Sequence, residues 1–305
     1  QMAKQELDVM EKHHIRVCGI EDSNYPRLLK HCADAPLVLF YKGSLEEDDT
    51  KNIAIVGTRK ATEMGKKRID TLLHELADTG YHPNIISGLA YGIDIAAHTA
   101  CVHYGLKAQA VLGHGLHMVY PASHKSMTEK ILEQGGALIS EFPTCAQVLP
   151  TNFLQRNRIV AGMSEATLVA ESPVKGGAMS TARQALSYNR DVMAIPGRPE
   201  DPTFSGCNLL IKQNIAALVE NVKDMLRILN WPLLSTGPQQ MSLDLFSESN
   251  HEVLLLEILG KTGEQNIDQL HQLTRIPVHD LSVLLLKLEL EGRAMQLPGN
   301  CYTLI

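Results

Sequence analysis

Between residues 51 and 230, short apolar segments alternate with longer segments that have helical periodicity. The apolar segments predict strands at Ile53–Val56, Asn84–Ile86, Ala108–Leu112, Ala137–Ile139, Ala166–Ala170 and Asp191–Ile195. The segments between them predict helices at Met64–Thr79, Gly92–Tyr104, Ser126–Gln134, Thr151–Gly162 and Met179–Tyr188. Such alternation is typical of a parallel sheet covered by helices on both faces. We therefore expect an α/β fold for this region.

The flanking segments predict three further parts of the chain. Residues 1–50 predict an N-terminal arm, namely the end of a helix and then extended chain with one strand at Leu37–Tyr41. Residues 231–245 predict a linker, because the sequence from Trp231 onward is rich in Pro, Ser and Gln. Residues 246–305 predict three helices and a hairpin, the pattern of a winged helix-turn-helix domain. Because the chain starts at Gln1 rather than Met, we expect that a preceding segment is missing.

Two segments near the end of the α/β region have weaker patterns. The Pro- and Gly-rich stretch after the last predicted strand, which ends at Ser205-Gly206-Cys207-Asn208, predicts a loop at the rim of the sheet. Asn214–Leu229 has apolar positions at helical spacing and predicts one continuous helix.

The formal charge is unevenly distributed along the chain. Residues 51–230 hold 18 Lys and Arg against 15 Asp and Glu, a balance of +3. Residues 1–50 and 231–305 have balances of −4 and −5, and the net charge is −6. An anionic ligand is therefore more favourable in the central region than in either flank.

The composition excludes several classes of protein. The six cysteines have no C-x-x-C spacing, which excludes a zinc ribbon and a disulfide framework. No apolar run approaches the roughly 20 residues that span a bilayer, and nothing resembles a signal peptide. We therefore expect a cytoplasmic protein that has no membrane partner and needs no cofactor. His114, His117 and His124 lie close in sequence, but they predict exposed or hydrogen-bonded histidines rather than a metal site.

In an open parallel sheet, ligands bind at the carboxyl ends of the strands, so the turns after the strands are the candidate site. Gly57, Thr58, Arg59 and Lys60 follow the first predicted strand, and Gly88 follows the second. Glycine lets backbone N–H groups approach an anion, and Arg59 can donate two hydrogen bonds to it. These turns predict phosphate binding. The alternative is a tight turn with a solvated arginine.

Lys175, Gly176 and Gly177 precede a predicted helix, where the side chain and the helix N-terminus would both attract an anion. Asp94 is expected to brace the turn near Gly88 rather than to catalyse. The sequence has neither a G-x-S-x-G elbow nor an H-E-x-x-H motif, and no pair of carboxylates is placed for acid–base work. This pattern predicts a site that holds an anion without reacting with it.

Arg156, Asn157 and Arg158 lie in an apolar helical segment, and Phe153 precedes them. An exposed Phe beside two arginines is what a single-stranded nucleic acid requires, because the ring stacks on a base while the cations meet the backbone. The alternatives are salt-bridged arginines and an ordinary core phenylalanine.

The third helical segment of the C-terminal region, residues 277–292, is the candidate recognition helix. Leucines at helical spacing should face the core of the domain: Leu281, Leu284, Leu285 and Leu288. The outer surface is then left to His279, Ser282, Val283, Leu286, Lys287 and Leu290. A face that reads a DNA groove needs Arg, Lys, Asn or Gln. We therefore expect this domain to pack against protein rather than to bind duplex DNA.

Several stretches, in this order, resemble the DNA-processing protein A family (DprA/Smf). They read YPRLL, APLVLFYKG, VGTR, SGLAYGIDIAAH, FLQRNRIVAGMS, KGGAMSTA, VMAIPG and SGCNLLI, and they extend from about residue 20 to residue 230. The resemblance implies an extended Rossmann-like fold, and a C-terminal winged helix also fits the family. It further implies that residues 1–50 are the remnant of a small helical domain.

The resemblance assigns roles to residues of this chain by position. The phosphate-binding turns are Gly57–Arg59 and Gly88, with Lys175-Gly176-Gly177 nearby. Arg156 and Arg158 match the R-N-R motif of the family, and Phe153 matches its base-stacking aromatic. Two departures are His117, where Asp is common, and KGGA, which replaces the usual K-S-G.

The resemblance implies a protein that binds and protects single-stranded DNA, dimerises, and loads the recombinase RecA during natural transformation. The competing hypothesis is an enzyme of related architecture, a nucleoside-monophosphate hydrolase similar to the "lonely guy" family. That family has P-G-G-x-G-T-x-x-E, whereas this chain has Gln184 at the place of the glutamate and Lys175 at that of the proline. Without the carboxylate, hydrolysis lacks its acid–base group.

Overall fold

The structure is a computed structural model that describes residues 2–45, 51–232, 244–297 and 301–304. The chain divides into two compact units, Gln1–Leu234 and Ser235–Ile305, each with its own apolar core. Among the described residues, no helix combines the length and the apolar character that crossing a bilayer requires.

The first unit contains a mixed sheet, which has nine strands in the described part of the chain. These are β1 (Arg16–Gly19), β2 (Val38–Gly43), β3 (Asn52–Gly57), β4 (Asn84–Ser87), β5 (Ala108–Val111), β6 (Ala137–Ser140), β7 (Ala166–Glu171), β8 (Asp191–Ala194) and β9 (Ala217–Leu218). The helices are α1 (Met2–Lys12), α2 (Arg27–Lys30), α3 (Glu63–Asp78), α4 (Ile93–Tyr104), α5 (Lys125–Glu133), α6 (Pro150–Gly162), α7 (Gly177–Ser187), α8 (Ser205–Lys212) and α9 (Val222–Ile228).

The order of the strands in the sheet is β1-β2-β6-β5-β4-β3-β7-β8-β9. All neighbouring pairs from β6 to β9 are parallel, whereas β2 pairs antiparallel with both β1 and β6. After β3 the chain adds strands on one side of the sheet up to β6, and then it returns to place β7 on the other side of β3. The carboxyl ends of β3 and β7 therefore flank a topological switch point, where open α/β sheets bind their ligands.

The burial of the central strands explains why short apolar segments of the sequence predicted the strands correctly. All residues of β7 are buried, and so are all residues of β3 except its terminal Gly57. A parallel strand is covered on both faces, so it reads as a continuous apolar run. The N-cap residue Thr62 defines the start of the helix after β3, because its hydroxyl accepts the Gly65 N–H at 3.0 Å. The predicted α/β architecture is confirmed.

Two local expectations were wrong. Asn214–Leu229 is not one helix, because Ala217–Leu218 pairs with β8 as an edge strand and Asn221 then caps the short α9. The segment expected as a rim loop becomes helical at Ser205, where α8 begins. The N-terminal arm has the expected helix end, α1, and the expected strand, β2, but it also contains β1, and both strands belong to the same sheet.

Most of the expected linker, residues 233–243, lies outside the described residues. Its first residue, Trp231, is only 4% exposed and packs on Tyr81 with 5.1 Å between the ring centroids. Trp231 therefore belongs to the core of the first unit.

The second unit consists of three helices and a small sheet. Its elements are α10 (Asp244–Thr262), β10 (Gln265–Asn266), α11 (Ile267–Thr274), α12 (Val278–Leu290), β11 (Ala294–Leu297) and β12 (Cys301–Leu304). The strands pair antiparallel in the order β10-β12-β11. Asn266 and Gln269 form a capping box at the start of α11. Three helices with this hairpin confirm the predicted winged helix.

The leucine pattern of α12 has the predicted orientation. Leu281, Leu284, Leu285 and Leu288 are buried in the core of the second unit. The six residues predicted for the outer surface are all exposed.

Candidate functional site

A cavity of about 290 Å³ opens at the carboxyl ends of β3 and β7. It is lined by Val56, Gly57, Thr58, Arg59, Ala90, Asp94, Pro150, Phe153, Leu154, Arg156, Asn157, Gly176, Gly177, Ala178 and Thr181. Four separate segments meet here, namely the turn after β3, the turn between β4 and α4, the first turns of α6 and the N-terminus of α7. The structure therefore brings together most of the residues that the sequence singled out.

The turn after β3 is held at both ends by Glu171, the last residue of β7. The Thr58 N–H donates to the Glu171 carbonyl at 2.7 Å. The Thr62 N–H and hydroxyl donate to the Glu171 carboxylate at 3.0–3.2 Å. This carboxylate is fully buried, and it lies at the N-terminus of α3, where the helix dipole favours a negative charge. Glu171 thereby fixes the loop that carries Arg59 and Lys60, a role that its position in the sequence did not reveal.

The second wall of the cavity is the N-terminus of α7. Gly176 and Gly177 both line the cavity, together with Thr181 one turn further on. A Cβ at Gly176 would overlap the Ser172 hydroxyl, whereas a Cβ at Gly177 would have no atom within 4 Å. The first N–H groups of a helix have no intrahelical acceptor, so this wall presents donors and a positive dipole end to the cavity.

Arg156 forms part of the floor. It is only 3% exposed, its Nη1 donates to the Val111 carbonyl at 2.6 Å, and its Nε has no hydrogen-bond partner in the described structure. Burial lowers the pKa of the Arg156 guanidinium to about 10, so the group stays charged at neutral pH. A buried cation with an unused donor is costly without an anion. The floor therefore presents a buried positive charge and an unused donor to the cavity.

Gly88 lies against this arginine rather than in the cavity lining. A Cβ at Gly88 would overlap the guanidinium of Arg156. Gly88 therefore leaves the space that the Arg156 guanidinium occupies, and its contact with a phosphate stays a prediction.

Asp94 is the acidic group of the cavity. It is 7% exposed, and it accepts the Ala90 N–H at 3.3 Å, which is the bracing role that the sequence predicted. Burial raises the pKa of the Asp94 carboxyl, while Arg156 acts in the opposite direction. Asp94 is therefore the acidic neighbour of the buried arginine in this cavity.

Phe153 lies at the cavity wall, half-buried, between a cation and a second aromatic ring. The Arg59 guanidinium lies 5.7 Å from the centroid of the Phe153 ring, and the Tyr120 ring centroid lies 5.6 Å from it. Tyr120 is 50% exposed. The sequence did not single out Tyr120, and the only signal was an aromatic residue in the loop after a strand. Together these side chains form a cationic and aromatic wall.

Four of the predicted residues lie outside the cavity lining. These are Lys60, Gly88, Arg158 and Lys175. Lys60 and Lys175 are exposed; Lys60 directly follows Arg59 and Lys175 directly precedes Gly176, so both place positive charge next to lining residues.

Arg158 has a different environment from Arg156, although both belong to α6. Its guanidinium donates two hydrogen bonds to the Glu141 carboxylate, at 2.7 and 3.0 Å, and its Nε lies 3.6 Å from Asp34. Only 14% of its side chain is exposed. The geometry of Arg158 favours the salt-bridged alternative over phosphate binding.

Two of the three neighbouring histidines have backbone partners. His114 accepts the Tyr120 N–H at 3.2 Å, and His124 lies 2.8 Å from the Leu89 carbonyl. The expectation of hydrogen-bonded histidines is confirmed for these two. In the part of the chain that the structure describes, no group of three metal-ligating side chains is placed to hold a metal ion.

Comparison with known proteins identifies the family of this chain. The sequence profile of the DNA recombination-mediator protein A family matches residues 16–230, and that of the DprA winged helix domain matches residues 244–300. The chain belongs to the DNA recombination-mediator protein A family. The resemblance that the sequence motifs indicated is thereby confirmed.

Curated members of this family are similar over most of their length. Protein Smf of Escherichia coli (strain K12) is 36% identical over 294 residues, which cover 94% of this chain and 76% of the relative. DNA processing protein DprA of Streptococcus pneumoniae is 38% identical over 208 residues, or 68% of this chain and 72% of the relative.

Two solved DprA structures share the fold of the first unit. The structure from Streptococcus pneumoniae matches with a TM-score of 0.65 and 36% identity, covering 70% of this chain and 74% of that one. The structure of DprA from Helicobacter pylori, described with a unique single-stranded DNA binding mode, matches with a TM-score of 0.62 and 28% identity. It covers 72% of this chain and 97% of its own. The extended Rossmann-like architecture is therefore that of the family.

Proposed function

We propose that this protein binds single-stranded DNA through the cavity at the carboxyl ends of β3 and β7. The observation that carries the proposal is Arg156, a buried cation on the cavity floor that has an unused donor. The N-terminus of α7 and Arg59 supply further positive potential, and Phe153 supplies a ring. Backbone phosphates and an unstacked base are the two groups that such a surface accommodates together.

The aromatic wall favours a single strand over a duplex. A base can stack on Phe153 or Tyr120 only when it is free of its own neighbours, and in a duplex the bases are already paired and stacked. The cavity contacts in turn come from backbone N–H groups and guanidinium groups, which meet phosphates without reading a sequence. The binding we propose is accordingly tolerant of sequence and dependent on salt.

The family supports the same ligand. The DprA structure from Helicobacter pylori was described for its single-stranded DNA binding mode, and it shares the first unit of this chain. By position, we assign Gly57, Thr58, Arg59, Gly176 and Gly177 to phosphates and Phe153 to a base. Lys60 and Lys175 would extend the phosphate path along the rim.

We propose that the role is binding rather than catalysis. In the related hydrolase motif the acid–base residue would fall at Gln184, and this side chain is not among the residues that line the cavity. An amide cannot exchange protons at neutral pH as a carboxylate does. Nucleoside monophosphates should therefore stay intact when they are incubated with the protein.

The biological setting that we propose follows family membership. The protein would protect incoming single strands in the cytoplasm and load the recombinase RecA onto them during natural transformation. We also propose that it acts as a homodimer. An open sheet edge at β9, where Leu218 is 42% exposed, is compatible with self-association.

The test is a binding titration with labelled oligo-dT, a duplex of equal length and a mononucleotide, each at two salt concentrations. We expect oligo-dT to bind most tightly and to lose affinity steeply with salt, because each neutralised phosphate releases about 0.7 counterion from a single strand. Equal affinity for duplex and single strand, or a flat response to salt, would contradict the proposal. Preference for the mononucleotide would favour a nucleotide-binding role instead.

A further inference from the structure

The outer face of α12 is apolar, although this helix occupies the position of a recognition helix. Val283, Leu286 and Leu290 are 58%, 57% and 81% exposed. We call these three residues the α12 stripe. Contiguous exposed apolar surface is unusual on a small domain and marks an interaction site more often than a chance event.

The geometry of the helix shows that the stripe is continuous. Residues 283, 286 and 290 are spaced by three and four positions, so they lie along one line on the helix surface. The buried leucines of α12, such as Leu281 and Leu285, point into the core on the opposite side. The stripe therefore faces directly away from the unit, where it is accessible to a partner.

The charges beside the stripe are acidic. Asp280 and Glu289 are exposed on its flanks. The nearby cations are engaged by Glu252, since Lys287 lies 2.9 Å from this carboxylate and Arg293 also contacts it. Residues 231–305 as a whole hold 4 Lys and Arg against 9 Asp and Glu. The exposed border of the stripe thus carries acidic side chains, while the nearby cations are already paired with a carboxylate.

We propose that the α12 stripe binds a protein segment whose apolar ridge is flanked by lysine or arginine residues. Apolar contact would provide the affinity, while the basic flanks would be attracted to the acidic border. A second copy of the same face is a poorer occupant, because two acidic borders repel each other. Nucleic acid is also a poorer occupant, because its phosphates meet negative charge and its base edges meet no donor.

The experiment uses the full chain and two labelled synthetic helical peptides of about four turns. Both carry leucines at the spacing of the stripe, with lysines on the flanks in one peptide and glutamates in the other. We expect the lysine peptide to bind in a fluorescence anisotropy titration and the glutamate peptide to bind at least about tenfold more weakly.

Variants locate the binding surface. The double variant Val283→Ser with Leu286→Ser, and separately Leu290→Glu, should weaken binding of the lysine peptide by about tenfold or more. The matched control is Leu37→Ser, which removes a side chain that is 74% exposed in the first unit and should change nothing. Thermal unfolding should be the same for all variants, because each changed side chain is exposed.

Several results would overturn the proposal. One is equal binding of the two peptides, and another is full binding by the stripe variants. Loss of self-association in Leu290→Glu, seen by sedimentation, would assign the stripe to a second copy. Loss of a duplex mobility shift in the same variant would assign it to DNA.

Discussion

The two units of this protein differ in the environment of their cationic side chains. In the first unit, Arg156 is buried at the floor of a cavity with an unused donor, and Arg59 lies at the wall against Phe153. In the second unit, Lys287 and Arg293 are both engaged by Glu252. Arg156 and Arg59 therefore line a cavity in the first unit, whereas Lys287 and Arg293 are paired with a carboxylate in the second.

This difference shows that architecture and ligand chemistry are separate properties. A winged helix is commonly associated with duplex DNA, yet the exposed face of α12 carries Val283, Leu286 and Leu290. A Rossmann-like sheet is commonly associated with small nucleotides, and here its switch point carries hydrogen-bond donors and the Phe153 ring. In both units, the ligand that we propose rests on the side chains rather than on the architecture.

The largest effect on binding should come from Arg156 in α6. Arg156→Ala removes a charged donor from the cavity floor, so it should weaken oligo-dT binding by about 1.5–3 kcal/mol. Arg158→Ala is the matched control, because its guanidinium is committed to Glu141. It should lower thermal stability and leave the affinity of the folded protein unchanged. If Arg158→Ala weakens binding as much as Arg156→Ala, the assignment of the floor is wrong.

Phe153→Ala tests the aromatic wall. Loss of a stacking ring should cost about 1–3 kcal/mol of oligo-dT affinity, with little change in the salt dependence. Phe204→Ala is the contrasting variant, since Phe204 is 2% exposed and should affect thermal stability instead. A Phe153→Ala protein that unfolds at a much lower temperature but binds normally once folded would identify this ring as a core residue.

The sequence predicted the sheet well because parallel strands are buried on both faces and leave an apolar run, as in β3. It also placed the turn of Arg59 and the N-terminus of α7 correctly at the carboxyl edge. The sequence could not distinguish the environment of Arg156 from that of Arg158, because the two residues are only two positions apart. Their hydrogen-bond partners, Val111 and Glu141, are distant in sequence.

Two other features that the sequence did not predict have the same physical origin. The function of Glu171 depends on a hydrogen bond to Thr62, which is 109 residues away. Asn214–Leu229 has the spacing of a helix, but pairing of Ala217–Leu218 with β8 overrides this local preference. Contacts between distant segments decide these cases, and a single sequence does not contain them.

Lowering the pH should reduce the stability of the first unit more than that of the second. Burial lowers the pKa of His98, which is fully buried in the first unit, from 6.5 to about 3. The unfolded chain then binds a proton below pH 6.5 that the folded chain rejects, so the free energy of unfolding should fall as the pH drops from 6.5 toward 3. Between these two pKa values the slope should approach about 1.4 kcal/mol per pH unit for this group.

Calorimetry between pH 7 and 5 would measure this effect. The transition of the first unit should move to lower temperature, whereas the second unit, whose described core is built from aliphatic side chains, should change less. His98→Leu should reduce the slope without abolishing it, since burial also lowers the pKa of His114. An unchanged slope in this variant would rule out His98 as the source.

The smallest expected effect is an absence of binding. The fragment from Leu245 to Ile305 contains the whole core of the second unit, so it should fold, as circular dichroism would check. It should give no duplex mobility shift at low salt, where electrostatic attraction to DNA would be strongest. A clear, salt-sensitive shift at micromolar concentration would make this unit a second DNA-binding module.

The salt dependence of oligo-dT binding compares the two units most directly, and it is measured in four proteins: wild type, Arg59→Ala, Arg59→Lys and Arg293→Ala. Arg59 lines the cavity, and Arg293 contacts Glu252 in the second unit. Arg59→Ala should reduce the slope of log affinity against log salt by about one, and Arg59→Lys should restore it only in part. Arg293→Ala should leave the slope as it is in wild type. A normal slope in Arg59→Ala together with a reduced slope in Arg293→Ala would show that the strand binds the second unit instead of the cavity.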